Sequence, residues 1–190
     1  MIKEDVINAY NFAKNAHEGV MRKNSNLPYF VHPKMVARIV ESYNCDSGMV
    51  SAALLHDTIE DTDVTYEDIR ERFGHRIADL VMEVTNTEER DNKELYANRV
   101  DYMVAKMLGM SDDALVIKLA DRLNNVAYLD YDANNPEAIR FARYYHDKTM
   151  DTIEGFLLYG PSLKKIHTDL LKAIMNELYR VDTFLRERNV

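Results

Sequence analysis

Apolar residues recur every third or fourth position along almost the whole chain, without strand-like alternation of any length, so the pattern predicts an all-α protein. Ile2, Val6, Ala9, Tyr10, Ala13 and His17 share one face of a first helix, which Gly19 ends. A turn-rich loop from Val20 to His32 follows, and Pro33 suits the first turn of a second helix whose apolar face is Met35, Val36, Ile39, Val40 and Tyr43. Asp46 to Gly48 reads as a turn and helix start, with Val50, Ala53 and Leu54 leading along a mostly buried helix to Asp57. Thr65 and Asp68 have the form of a capping box for a short helix that carries Ile69 and Phe73 and stops at Gly74. Ile77, Leu80, Val81 and Val84 mark another helix, and Thr85 to Lys93 is charged, aperiodic and expected to be a mobile loop of the kind that covers phosphate sites. Tyr96, Val100, Met103, Val104 and Met107 predict a helix closed by Gly109, and Ser111 caps the strongly apolar segment after it. Asn135-Pro136 opens the next helix, Gly160-Pro161 breaks the chain, and Leu163, Ile166, Leu170, Ile174, Leu178, Val181 and Leu185 give a long closing helix. Its roughly heptad spacing suits core packing and equally a homodimer contact.

Polar residues that interrupt this pattern mark the candidate chemistry. Ala52 to Thr62, AALLHDTIEDT, changes abruptly from apolar residues to His56, Asp57, Glu60 and Asp61. At helical spacing His56 lies one turn from Glu60 and Asp57 one turn from Asp61, so a ligand and carboxylates project into one small volume. Carboxylates this close raise one another's pKa unless a cation or a catalytic task justifies them, and a metal is the simplest justification. The competing reading is an ordinary helix end with a solvated acidic face. His32, at a helix mouth, is a further candidate ligand. Asp121 follows Ile117 by four residues and precedes Asn125 by four inside an apolar segment; a salt bridge to Arg122 or Lys118 would satisfy it on an exposed face, and a metal explains it better on a buried one. His17 reads as a hydrogen-bonded core histidine. Arg22 and Lys23 are either a solvated pair or part of an anion-binding loop, and Arg140 and Tyr144, one turn apart like Phe141 and Tyr145, suit a phosphate or a base.

Composition narrows the setting. With 190 residues, 46% hydrophobic and 29% charged, and only six Gly and four Pro, the chain is a globular sequence rich in helix formers. The net charge of -8 argues against a general nucleic-acid or membrane-surface binder and leaves room for a local basic cluster that receives an anionic small molecule. Cys45 stands alone, so an intrachain disulfide is impossible and a reducing cytoplasm is the expected setting. The start MIKEDVINAY has no signal-peptide form, and no apolar run approaches membrane-spanning length. Glycine-rich phosphate loops, a nucleophile elbow and a Cys-His pair are absent from the sequence.

Four segments together resemble the HD-domain metal phosphohydrolases, and within them the RelA/SpoT-type alarmone hydrolases: AHEGVMRKNSNLPYFVHP at 16–33, AALLHDTIEDT at 52–62, FGHRIADLVMEVTN at 73–86 and IKLADRLNNVAYL at 117–129. They stand in family order and at similar spacings. The resemblance implies an HD-domain helical fold over residues 1–160 with a C-terminal helix, 161–190, packed on the same domain. It implies that His32, His56, Asp57 and Asp121 bind one divalent metal, Mn²⁺ in the family, although imidazole and carboxylate ligands also allow Zn²⁺ or Fe²⁺. Glu60 and Asp61 would orient the attacking water and take its proton. Arg22 would stack on guanine with Lys23 close by and Asn125 touching the nucleotide, while Lys93, Arg140 and Tyr144 would make more distal phosphate and ribose contacts.

The implied reaction is hydrolysis of the 3′-pyrophosphate of ppGpp or pppGpp to GDP or GTP and pyrophosphate. The family commonly has His-Asn where this chain has Asn124-Asn125, and a smaller residue at Tyr128. With 190 residues the chain has no room for a synthetase domain, which implies a small, hydrolase-only enzyme. Hydrolysis of an adenosine alarmone or NADPH by the same centre, and a catalytically idle nucleotide sensor, are the alternatives.

Overall fold

Four helix starts in this chain follow side-chain caps at Asp46, Thr65, Ser111 and Asn135. The computed structural model describes residues 4–22, 27–86, 99–129 and 135–187. Within them run α1 (Glu4–Ala16), α2 (Val31–Ser42), α3 (Ser47–Leu55), α4 (Thr58–Asp61), α5 (Tyr66–Phe73), α6 (His75–Val84), α7 (Arg99–Gly109), α8 (Asp112–Ala127), α9 (Pro136–Leu158) and α10 (Lys165–Glu187). The described residues contain no strand, only an isolated bridge between Met21 and Pro28, so the expected all-α HD-type fold is what forms. Asp46 accepts the Gly48 and Met49 backbone N–H groups at 2.8 and 3.2 Å and starts α3. Thr65 and Asp68 make both halves of the capping box at α5. Ser111 caps α8, and Asn135 caps α9 with Pro136 in its first turn. Gly74, at φ +84°, takes the left-handed conformation that lets α5 end and α6 begin within one residue.

One expectation changes. The acidic segment does not continue α3 as a single helix: α3 stops at Leu55, and His56 and Asp57 form a turn before the short α4. Side chains there take up the carbonyls of the last turn. His56 Nδ1 bonds the Ala53 carbonyl at 2.9 Å, and the Thr58 hydroxyl donates to the Leu55 carbonyl at 2.7 Å.

The core forms around α3, which is apolar on every side and buried from Met49 to Leu55. Helices α1, α2 and α6 pack against it, and α8 joins α2 to α10. The heptad-like stripe of α10 turns inward onto α8 and α9, with Leu170, Ile174, Leu178 and Val181 all at most 1% exposed. That stripe is therefore used in the core, and a homodimer would need another surface. At the head of α10, His167 Nδ1 accepts the Lys164 N–H at 3.2 Å while Nε2 donates to the Asp112 carbonyl at 3.0 Å, tying the helix to the start of α8. No described helix is long and apolar enough to cross a membrane. Ile174→Ala should lower the free energy of unfolding by about 2–5 kcal/mol in a urea titration; a loss under about 1 kcal/mol would mean that α10 is peripheral to the core.

Candidate metal centre and active-site cleft

Three separate elements bring four ionisable side chains to one point. His32 comes from the first turn of α2, His56 and Asp57 from the turn after α3, and Asp121 from the middle of α8. His32 Nε2 lies 3.2 Å from Asp121 Oδ1 and 3.5 Å from Asp57 Oδ2. His56 Nε2 lies 3.1 Å from Asp57 Oδ2 and 3.9 Å from Asp121 Oδ1. Both histidines are at most 3% exposed. His56 Nε2 is close to Asp57, yet among the described residues it has no partner in hydrogen-bond geometry. Two imidazoles and two carboxylates that converge in this way could hold a divalent transition metal. The His32, His56 and Asp57 donor atoms lie within 4.8 Å of one another.

Neighbouring groups orient the ligands. His32 Nδ1 faces Asn124 Oδ1 at 2.7 Å and His56 Nδ1 faces the Ala53 carbonyl, so each Nδ1–H donates outward and each Nε2 points toward the centre. The Tyr29 hydroxyl donates to Asp57 Oδ2 at 2.7 Å and also lies beside Asp61. Asn125 Nδ2 donates to Asp121 Oδ1 at 2.6 Å. Sequence reasoning gave Tyr29 no role and noted Asn124 only as a departure from the family's His-Asn. Each sits beside or within a quoted motif, and only the fold shows what its polar atom meets.

The charges follow from this crowding. Burial by itself would depress the His56 pKa, but the carboxylates of Asp57 and Asp121 outweigh it and push it up to about 9. Burial opposes ionisation of Asp57 and Asp121 as well, yet His56 and His32 hold the first, and Lys118 with the histidines the second, well below the usual carboxylate range. Glu60, half-buried, is displaced the other way, upward, by burial. Its Oε2 accepts both the backbone N–H and the side-chain amide of Asn86 at 2.9 Å, which hold it in place.

These groups line a cleft of about 840 Å³, within the range of small-molecule sites. His32, Asp57, Glu60, Asp61 and Asp121 line it together with Arg22 and Asn125. Arg22 donates to Asn125 Oδ1 at 3.0 Å and stands 5.9 Å over the Tyr128 ring. Glu60 and Asp61 also line an adjoining acidic recess with Asp63 and Asp68. Lys23 and Lys93 lie outside the described residues.

Arg140 and Tyr144 are not part of this cleft. The Arg140 side chain is 70% exposed, with Glu137 at 3.9 Å, and Tyr144 is 52% exposed. Helix α9 instead presents Phe141, Tyr145 and Lys148. The two tyrosines have the same one-turn spacing from an upstream partner, and the packing of α9 selects the pair one residue further on. His17 is buried and packs its ring 4.8 Å from Tyr29, but neither of its nitrogens has a hydrogen-bond partner, unlike the bonded core histidine expected.

This helical frame with a His, His-Asp, Asp centre is the arrangement of an HD domain, whose family model matches residues 9–147; the chain belongs to the HD-domain family. It is 42% identical over 174 residues, 90% of its length, to the guanosine-3′,5′-bis(diphosphate) 3′-pyrophosphohydrolase of Vibrio cholerae. It is 41% identical over 173 residues to the bifunctional (p)ppGpp synthase/hydrolase SpoT of Escherichia coli K12. It spans 23% of the length of each of these relatives. A solved structure described as a metazoan ortholog of SpoT that hydrolyzes ppGpp and plays a role in starvation responses superimposes with a TM-score of 0.69 at 26% identity, covering 98% of this chain and 96% of the other. The Listeria monocytogenes protein lmo0812, 23% identical at a TM-score of 0.58, shares the fold.

With its pKa at about 9, His56 carries a proton across neutral pH, and that proton must leave for Nε2 to ligate a metal. The stability His56 gains from its carboxylates is therefore full below about pH 6.5, its unfolded value, and is lost as pH rises through about 9. Calorimetric titration of Mn²⁺ into the chelator-stripped protein at pH 7.5 should show proton release, read as a dependence of the heat on buffer ionisation enthalpy, and an affinity that weakens toward pH 6. Identical heats in buffers of different ionisation enthalpy would contradict the charged state assigned to His56.

Proposed function

We propose that this chain is a hydrolase that removes the 3′-pyrophosphate of guanosine alarmones, converting ppGpp or pppGpp and water to GDP or GTP and pyrophosphate with one bound Mn²⁺. The observation that carries the reading is the convergence of His32, His56, Asp57 and Asp121 beside a cleft that His32, Asp57 and Asp121 line together with Glu60 and Asp61. Ligands of this mixed kind admit Zn²⁺ and Fe²⁺ as well. The relatives named for ppGpp hydrolysis support the substrate. A cytoplasmic location, with residues 1–160 as the catalytic unit braced by 161–190, belongs to the same reading.

A bound divalent ion would lower the pKa of the attacking water and offset charge on the phosphoryl oxygens. The chain's own groups do the rest. Glu60, with its pKa raised by burial and its carboxylate held by Asn86, is suited to take the water's proton near neutral pH, and Asp61 orients the same water. Water attacks the phosphorus joined to the 3′ oxygen; that P–O bond breaks, and the electron pair stays on the ribose oxygen, which ends as a hydroxyl. Arg22 stacks on the base, Asn125 links it to the metal ligand Asp121, and Phe141 and Tyr145 form the apolar wall opposite. Lys23 and Lys93 complete the phosphate contacts in this reading.

An aromatic wall accepts any purine, so adenosine alarmones and NADPH are tested alongside. Glu60 and Asp61 weigh against an idle sensor, because a binder of polyanions has little use for added carboxylates.

Incubating the chelator-stripped protein with ppGpp, ppApp or NADPH, with and without Mn²⁺, and resolving products by anion exchange should give GDP and pyrophosphate from ppGpp only with metal. Preferred turnover of ppApp or NADPH would move the assignment to that substrate, and no turnover of any would favour the sensor. Glu60→Gln should keep Mn²⁺ affinity and lose about 10²–10⁴ in kcat, whereas Asp121→Ala should lose metal and activity together. Full activity in Glu60→Gln would remove it as the base.

A further inference from the structure

Lys118 has so far entered only as a charge that helps to hold Asp121 ionised. It is 6% exposed on a stretch of α8 that is otherwise apolar from Ala114 to Ala120. A buried ammonium requires compensation, which here comes from Asp121 and the Val84 carbonyl. Its Nζ lies 3.3 Å from Asp121 Oδ2 and 3.4 Å from the Val84 carbonyl, both long for a charge-assisted hydrogen bond. An ammonium has three donors. Lys118 also lines the cleft, close enough to Glu60 to lower its pKa against the effect of burial.

The two oxygens of Asp121 divide the site. Oδ1 faces His32 Nε2 and Asn125 Nδ2, on the side of the metal ligands, while Oδ2 faces Lys118. A fixed ammonium on a ligand carboxylate repels a divalent cation and competes for the same anion, so it is a liability if the site needs only to hold metal. It becomes useful when an anion arrives. A metal on one side of Asp121 and an ammonium on the other then form two cationic points over which a phosphoryl group can lie.

We propose that Lys118 is an anion-binding residue of this cleft, its buried ammonium donating to a phosphoryl oxygen of the substrate while Asp121 Oδ2 holds it in place. The inference rests on the phosphohydrolase reading for its ligand class, but not on the identity of the base or sugar. The opposing possibility is that Lys118 is only the counter-ion of Asp121. The two differ in phosphate binding. Loss of an anion-binding lysine weakens phosphate binding while metal affinity holds or rises; loss of a counter-ion changes metal affinity alone.

The experiment compares the wild type with Lys118→Met, which keeps length and apolar bulk, and with Lys118→Gln and Lys118→Arg. Mn²⁺ affinity is measured by calorimetry in phosphate-free buffer, and inorganic phosphate is then titrated into Mn²⁺-saturated protein with equal Mn²⁺ in both solutions. The expected result is unchanged or tighter Mn²⁺ binding with phosphate affinity reduced at least about tenfold in the Met and Gln variants, as for loss of one hydrogen bond to a charged group, and partly restored in Arg. Unchanged phosphate affinity in either folded variant overturns the proposal. So does weakened Mn²⁺ binding in both, which would make Lys118 structural, and so does absence of phosphate binding by the wild type. Because no alarmone is used, wild-type failure to hydrolyse ppGpp would count against the substrate reading without touching this result.

Discussion

Burying four ionisable ligands among helices that are otherwise apolar is the constraint on which the rest of this structure depends. Burial opposes ionisation of Asp57 and Asp121, and attraction from His32, His56 and Lys118 outweighs it. The surrounding polar side chains follow from the same need. Tyr29 donates to Asp57, Asn125 donates to Asp121, and Asn124 holds the outer nitrogen of His32. Each leaves the inward-facing atoms of a ligand directed at one point, and that geometric economy is what a metal centre requires.

The scaffold has to hold α2, α8 and the end of α3 in register for this to work. It does so through α3, a helix apolar on every side, which α1, α2 and α6 enclose. The break after Leu55 then matters chemically. By ending α3, the turn at His56 and Asp57 lets both side chains leave a buried helix at a point where α8 passes, and lets α4 carry Glu60 and Asp61 along the cleft wall. Helix α10 contributes none of the cleft-lining residues and instead packs behind α8, the helix that supplies Asp121 and Lys118.

The cleft carries both signs of charge despite the acidity of the chain as a whole. Arg22, Lys118, Arg122 and Lys148 share it with Asp57, Glu60, Asp61 and Asp121. A polyanionic ligand bound with a divalent cation matches that pattern better than either would alone, because the cation meets the carboxylates and the phosphates meet the cationic side chains. The net charge of the protein says little about this local arrangement, which arises where helices distant in sequence meet.

Periodicity and capping residues determined the helical class and most helix starts from the sequence alone, because both are local: Asp46, Thr65, Ser111 and Asn135 act within three residues of themselves. The side chains that converge beside the cleft were legible for a related reason, since His32, His56, Asp57 and Asp121 are polar interruptions of apolar segments. What only the tertiary structure decided is the rotational phase of each helix and the meeting of distant side chains. One-turn spacing is the same for Arg140 with Tyr144 as for Phe141 with Tyr145, and the packing of α9 against its neighbours selected the second pair for the cleft. Tyr29 on Asp57, Asn124 on His32 and Lys118 between Asp121 and the cleft likewise involve atoms whose partners lie on other elements or across a helix face. No local pattern encodes such contacts, because their energy comes into existence only when the helices pack.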